Sequence, residues 1–404
     1  MDKRPFYGAL AAEAVSFVGT RVSMVAIPWF VLTTTGSATR TGLVAFAEMF
    51  PLVTLKALAG PVIDRAGARR VAITADVLSV AVVGAIPLLH AAGMLSFGAL
   101  LAIVAVAGCL RGPGDAARQA LVPSIVRHAE IPMERATGLF EAVNRTSSML
   151  GAAFAGGLVA VVGAADAIAI DAASFGVSAA VMAWATAGLE RPEPIASAGY
   201  VRDLRAGLRF LRGDAVLVGM VTMVAFTNLI DQAYTVVLVP AWARDGGRGA
   251  AAVGLLFAVY AGSSIAGSVL AAAYGERLPR FKLYLAAFLL AGAPRFVVLA
   301  AGSPLGVVVA VCVVGGVASG CINPILGAVL YERIPEPMLG RVLALNTALC
   351  WSLIPFGGLL GGALIAAGGL APALAIAGAG YFAATMLPAL QPRWREIDRR
   401  RTAI

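Results

Sequence analysis

Charge is what this sequence has least of. Only 13% of its 404 residues are Asp, Glu, Lys or Arg, about half the share of a typical soluble domain. Against that, 60% are hydrophobic and mean hydropathy is +0.87. No soluble fold of this length can hide so much apolar surface. Histidine is nearly missing too. His90 and His128 are isolated and no HExxH-type spacing exists, so a histidine-based metal site is excluded. The four cysteines, Cys109, Cys312, Cys321 and Cys350, contain no CxxC pair and fall within apolar runs. That argues against a disulfide framework and against zinc, and leaves them as small packing residues. A nucleophile–His–acid set and a phosphate loop are lacking as well, so an enzyme has no anchor here. Lysine occurs three times against 28 arginines in an Ala- and Gly-rich chain, a usage that looks like a GC-rich bacterial genome.

What is present is length without charge. Twelve apolar stretches cover roughly 7–33, 42–62, 71–90, 96–117, 137–162, 166–188, 215–241, 251–274, 282–301, 304–329, 342–366 and 370–390. A helix of about 20 residues crosses a hydrocarbon core of about 30 Å, and the runs lack the two-residue alternation of a membrane barrel. The expected fold is an all-α membrane protein of twelve transmembrane helices. The N-terminus, MDKRPFYGALAAEAVSF, starts like a signal peptide, but its apolar segment is too long and carries Glu13 and Arg21. It reads as a retained first helix rather than a cleaved leader. With the N-terminus inside, 24 of the 31 Lys and Arg fall on cytoplasmic segments, and only Arg40, Arg244 and Arg248 on outer loops. The positive-inside rule therefore puts both termini in the cytoplasm. The net charge of +9 is spread over inner loops and the tail RWREIDRRR, where it meets anionic lipid headgroups; nucleic acid is not an expected partner.

The chain also repeats. A shift of 212 residues lays Pro28 on Pro240, Asp64-Arg65 on Glu276-Arg277 and Pro123 on Pro335. Matching landmarks with equal polarity predict two parallel six-helix repeats, a pattern of transporter halves. The expected organisation is an N-terminal bundle over 1–188, a linker over 189–214, a C-terminal bundle over 215–390 and a basic cytoplasmic tail over 391–404. In the linker, YVRDLRAGLRFLR places Val201, Leu204, Leu208 and Leu211 opposite Arg202, Arg205, Arg209 and Arg212. That spacing predicts a basic amphipathic helix on the inner membrane face.

One short stretch, GPVIDRAGARR (60–70), gathers Asp64, Arg65, Arg69 and Arg70 within seven residues. It reads as the turn between the second and third spans, with ERLPRFK as its degenerate echo in the second half. A loop that served only to hold positive charge inside would need no aspartate and no glycines. The pattern resembles the signature loop of the major facilitator superfamily. More of the chain points to its twelve-helix exporters of macrolides, tetracyclines and siderophores such as enterobactin: SFVGTR (16–21), RQALVPSIV (118–126), DAASFGVSA (171–179), NPILGAVLYERIP (323–335), GRV (340–342) and PFGGLLGG (355–362). The resemblance implies a latch that joins the two halves in one conformation and releases them in the other. Its residues would be Gly60, Asp64, Arg65, Gly67, Arg69 and Arg70, with Arg111 on the fourth span. Two positions depart from the pattern. Thr20 stands where the branch usually carries an acid in its first helix, and Ala152 follows Gly151 where antiporters carry Gly-Pro.

Charges inside the spans need partners or purposes, since each costs at least about 2.5–3.5 kcal/mol at a helix centre. With a rise of about 1.5 Å per residue, depth pairs Glu13 with Lys56 and Arg21 with Glu48. Glu141 and Arg145, four apart, can pair along one face, with Asn144 between them. The first two pairs read equally as structural pairs and as cavity lining, and Glu141–Arg145 reads as structural. Asp171 reads as a structural anchor, and Arg295 has no evident partner. FTNLIDQAY brings Asn228, Asp231 and Gln232 together deep in the seventh span, and the 212 shift lays Thr20 beside Asp231. Asp231, then Glu48 and Glu13, are the expected proton-coupling acids. Arg21, Asn144, Asn228 and Gln232 are expected to line the substrate cavity. The resemblance implies a secondary transporter of the bacterial inner membrane, monomeric and without cofactor or metal. It would export a hydrophobic or amphipathic drug, antibiotic or siderophore-like molecule by alternating access, in exchange for protons, with membrane lipids as its other partners. A symport importer or a lipid-translocating member keeps the same fold; a membrane enzyme or receptor lacks the residues for its chemistry.

Overall fold

The computed structural model describes residues 3–131, 133–189, 200–274, 279–335, 339–387, 394, 396 and 397, and among them no strand occurs. The helices are α1 (Arg4–Thr35), α2 (Ala38–Leu58), α3 (Gly60–Ala66), α4 (Ala68–Ala91), α5 (Phe97–Ala129), α6 (Met133–Val162) and α7 (Ala164–Ala185). There follow α8 (Tyr200–Gly213), α9 (Ala215–Ala233), α10 (Val239–Asp245), α11 (Gly249–Tyr274), α12 (Arg280–Ala291), α13 (Ala293–Ala300), α14 (Leu305–Arg333), α15 (Leu339–Trp351), α16 (Ile354–Gly368) and α17 (Leu370–Met386). Ten helical segments among the described residues are long and apolar enough to cross a membrane, so the chain is a multi-pass membrane protein.

Local chemistry sets the boundaries. The hydroxyls of Ser37 and Ser96 accept from Arg40 N and Ala99 N and cap α2 and α5, satisfying donors a helix start leaves free. The stretch GPVIDRA forms a helix of its own, where a plain turn was expected. Pro61 lies in its first turn, where a missing N–H costs nothing, and Gly67, at φ 87°, makes the reversal into α4 that a residue with a Cβ would resist. RQALVPSIV, expected as loop, continues α5 to Ala129. The ninth span is broken into α12 and α13 at Gly292, with Pro294 in the first turn of α13, and Pro355 likewise starts α16. Between α9 and α10, Tyr234–Leu238 is π-helical. Pro240 follows it and can give no N–H to the carbonyl four residues back, which the wider turn accommodates.

The chain divides into two compact units. Unit 1 comprises Met1–Ile195 with Val239–Ala258, and unit 2 comprises Ala196–Leu238 with Val259–Ile404. In unit 1, α1 packs on α6 and α7, and α2 on α5. Gly108 and Gly112 on α5 meet the α2 backbone: a Cβ on either would overlap the carbonyl oxygens of Glu48 and Leu52, so these glycines set the distance between the helices. One end of the unit is filled by Phe6, Leu10, Val71, Leu121, Ile125 and Met182. In unit 2, the amphipathic helix forms as α8, and the C-terminal end of its apolar edge packs on protein. Leu211 is buried with Leu217, Ile334 and Val342; Val201 and Leu204 have side chains outside the described residues. Two residues of the basic tail dock as well: Trp394 and Ile397 are buried, and the Trp394 ring lies 5.3 Å from that of Tyr284.

Candidate functional site

Each unit holds charge inside its spans, and each does so differently. In unit 1 the close α2–α5 contact brings Arg111 to Glu48, Nη1 to Oε1 at 2.6 Å, and its Nη2 donates to Thr20 Oγ1 at 3.4 Å. Depth alone matched Glu48 with Arg21. The structure gives it Arg111 because the glycine stripe, rather than depth, decides which helices lie close enough. Arg21 packs its stem against Gly151 on α6 and donates to Met24 Sδ at 3.3 Å. Glu13 lies within electrostatic reach of Lys56, its expected partner, and also of Arg118, Asp115 and Asp76.

A second buried pair went unanticipated. Arg118 bonds Asp76 on α4, while Ser178 Oγ on α7 donates to the other oxygen of Asp76 at 2.9 Å, and Arg118 also reaches Asp115 at 3.2 Å. Arg118 was hidden because RQALVPSIV reads as loop. The signal lay in the Asp115–Arg118 spacing of three, one helical turn. On α7, Asp171 is buried at 2% relative exposure and accepts from the hydroxyls of Ser23 and Ser174. Glu48, Arg111, Asp171 and Ser23 border one small cavity, walled by Ile27, Val83, Ile86, Val104, Ala107 and Phe175.

Of the loop residues, Arg69 is tied down: its Nε donates to Thr186 Oγ1 at 2.9 Å and its Nη2 to Ala183 O at 3.0 Å. This staples the start of α4 to the end of α7. Arg65, Arg70 and Gly60 are exposed. The side chains of Asp64 and Asn144, and those of Glu141 and Arg145, lie outside the described residues.

In unit 2 the lone Arg295 finds its partner, and it is Asp231. The guanidinium carbon lies 4.7 Å from the ring centre of Tyr234, 5.0 Å from Phe296, 5.1 Å from Tyr381 and 5.5 Å from Tyr260, distances at which ring faces attract a cation. Gly292 makes room for this cage, because a Cβ there would sit 2.6 Å from the Tyr381 ring. The arginine side chain is 8% exposed, whereas that of Asp231 is 38% exposed. Asn228 Nδ2 donates to Cys350 O at 3.0 Å, and the Cβ of Gln232 lies where α16 passes at Gly357; both bind α9 to its neighbours.

The same unit has charge at its helix ends. Arg280 and Glu332 form two parallel bonds of 2.7 Å. Asp214, just outside the seventh span, caps α9 through Val216 N and Leu217 N and pairs with Arg333 at 2.7 Å. Partial burial resists ionisation of Asp214, but the hydrogen bonds and charge of Arg333, with the two backbone N–H groups, outweigh it and hold the carboxyl below its ordinary range.

Known proteins share this architecture. The profile of a family described as transmembrane secretion effectors matches residues 3–402. The multidrug efflux pump Tap of Mycobacterium tuberculosis is 32% identical, covering 98% of this chain and 96% of that one. Among solved structures, a bacterial homologue of the iron transporter ferroportin in an inward-facing state superposes with a TM-score of 0.73 at 15% identity, over 98% of this chain and 99% of that chain. The nucleoside transporter NupG gives 0.70 at 14% identity, over 96% and 98%. At such identities the two structures speak for the fold alone.

Proposed function

The chain belongs to the transmembrane secretion effector family of the major facilitator superfamily, and on that premise we propose that it exports hydrophobic or amphipathic small molecules, multidrug-pump fashion, in exchange for protons. The full-length kinship to a protein named as a multidrug efflux pump supports export. The observation that carries the coupling is charge retained inside the spans of both units: Glu48 with Arg111 in one, Asp231 with Arg295 in the other. Ionisable groups at such depth are costly, and proton exchange gives them a use. Asp231, Glu48 and Glu13 are the coupling acids. The exposed edge of Asp231 also suits a cationic substrate, which would compete with Arg295 for the carboxylate. Arg21, Asn144, Asn228 and Gln232 belong to the substrate path.

Twelve spans in two six-helix bundles, over 1–188 and 215–390, place both termini in the cytoplasm of a bacterial cell. The protein works as a monomer in the inner membrane, with its basic linker and tail against anionic lipid. Asp64 and Arg65, set by Gly60 and Gly67 and backed by Arg69 and Arg70, act as the latch between the bundles, and Arg111 links it to the charges within the spans. Alternating access follows from latching and releasing.

Two experiments test this reading. A reporter fused at 246–249 should read as periplasmic and one at 195–199 as cytoplasmic; either reversal overturns the topology. In proteoliposomes, a pH gradient, acidic on the side toward which the substrate is pumped, should drive uphill movement of a lipophilic cation in the wild type. Asp231→Asn should abolish that uphill component while substrate exchange without a gradient continues. Uphill transport surviving at near wild-type rates removes Asp231 from the coupling.

A further inference from the structure

Two carboxylates and one guanidinium border the small cavity of unit 1, and that count is unbalanced by one positive charge. Arg111 is already committed to Glu48 and Thr20. Asp171 faces only hydroxyls: among the described residues its hydrogen-bond partners are Ser23 and Ser174, and no Lys or Arg stands within ion-pair distance of it. Its burial is enforced by α1, where Gly19 leaves no room for a Cβ against Ser174 and Asp171. On α1 the other charged groups are Arg4, which lies over the Trp184 ring, Glu13 and Arg21. On α4 they are Arg69, held by Thr186 and Ala183, the exposed Arg70, and Asp76, which Arg118 and Ser178 hold. On α6, Glu141 and Arg145 lie outside the described residues. A carboxylate buried without a cation carries an uncompensated desolvation cost, which taking up a proton removes.

We propose that Asp171 is the proton-binding residue of unit 1, in a site it shares with Glu48 and Arg111. This rests on the proton-exchange reading and moves the proton to a residue that sequence alone marks only as an anchor. Hydroxyl partners suit both states. The carboxylate accepts from Ser23 and Ser174; the acid donates its own proton to one serine oxygen and still accepts from the other serine. Asp171 and the Glu48–Arg111 pair border the same cavity of about 10 Å³, at the lower limit of the space one water molecule needs. When Asp171 ionises it competes with Glu48 for Arg111. Loss of the proton therefore pulls on the α2–α5 contact, which is how occupancy could reach the transport cycle.

Infrared difference spectra between acidic and alkaline buffer, on protein reconstituted in lipid, locate the proton directly. The wild type should show a protonated-carboxyl band that is missing in Asp171→Asn and displaced in Ser23→Ala, whose hydroxyl bonds that group. The serine variant decides the matter if Asp171→Asn does not fold. In proteoliposomes carrying ethidium as the probe, the ratio of pH-driven uphill flux to downhill flux should fall by about tenfold or more in Asp171→Asn. No wild-type band, a band unchanged in both variants, or one lost in Glu48→Gln and kept in Asp171→Asn overturns the proposal. If the wild type moves no probe downhill, the transport reading fails, and the spectra still decide where the proton sits.

Discussion

The two units solve the problem of charge in a membrane in opposite ways. Unit 2 matches one acid to one base and wraps the base in four rings, so the Asp231–Arg295 pair is balanced within itself. Unit 1 pairs Arg111 with Glu48 and leaves Asp171 to the hydroxyls of Ser23 and Ser174, with both acids bordering one small, mostly apolar cavity. Balance favours a fixed structure, because every change of protonation strands a partner. Imbalance favours a site with two accessible states. Both units spend charge that their spans could have omitted. Among the described residues unit 1 has an acid with no cation bonded to it, whereas in unit 2 a proton or a cationic substrate must compete with Arg295 for the exposed edge of Asp231.

The sharpest way to break this comparison is to remove the shared base. Arg111→Leu strands buried Glu48 and removes the one guanidinium at the cavity that Asp171 also borders. It should destabilise the folded protein by about 3–5 kcal/mol, read as a lowered apparent melting temperature in detergent. Adding Glu48→Gln to the same chain should recover part of the loss, since the acid that lost its partner then carries no charge. If Arg111→Leu melts with the wild type, the cavity is hydrated enough to need no cation, and the charge-count argument falls.

In unit 2 the expected effects are smaller and asymmetric. Arg295→Leu gives up the ring contacts, which are worth about 2 kcal/mol or more when desolvated, and leaves Asp231 half exposed to whatever polar surroundings it has. Asp231→Asn should cost less stability than Arg295→Leu, because the rings go on holding the cation. The order of the two melting temperatures is the test. The reverse order would make the carboxylate, rather than the cage, what keeps Arg295 in place.

How much of this could be read from the sequence depends on the range of the interaction. Ten of the twelve expected spans were legible, because a run of apolar residues reports its own length. Asp231 stood out because Asn228, Asp231 and Gln232 are rare company in an apolar helix, and Arg295 stood out for the same reason. Their pairing was not legible. It depends on the break at Gly292 and on which faces of α9 and α13 meet, and those are tertiary facts. Glu48 was matched to the wrong arginine for a related reason: depth orders residues along spans but says nothing of which spans touch. Arg118 was missed through local chemistry instead, since the polar end of α5 looks like a loop although it continues as helix into a buried pair with Asp76.

The helix ends at the signature loop extend the comparison. There, unit 1 has Arg69 stapled to α7 and Arg65 exposed, while unit 2 locks its ends through Arg280–Glu332 and Asp214–Arg333. If the loop of unit 1 is a latch, its carboxylate favours one state by a coupling of about 1–3 kcal/mol, a shift in populations of about 5–150-fold. Asp64→Asn should then slow transport by at least about fivefold and change equilibrium substrate affinity far less, as measured by flux and by binding to detergent-solubilised protein. Equal losses in both would assign Asp64 to substrate binding, and unchanged flux would remove the latch.

The smallest effect is the most direct test of a fixed end. Asp214 caps α9 and pairs with Arg333, so Asp214→Ala should cost about 1 kcal/mol at neutral pH, the usual worth of an N-cap. Its sign with pH follows from the depressed carboxyl. In the folded protein Asp214 holds its charge to lower pH than it does unfolded, so its contribution is complete above the ordinary carboxylate range. It is lost as pH falls through the folded value. The melting-temperature gap between wild type and Asp214→Ala should therefore be full near pH 7 and close on acidification, and high salt should narrow it only partly because Arg333 is buried. A gap that does not change with pH would mean that the cap works through the shape of the side chain and not its charge. The ends of unit 2 would then owe their rigidity to packing around Leu211, Leu217 and Ile334 instead.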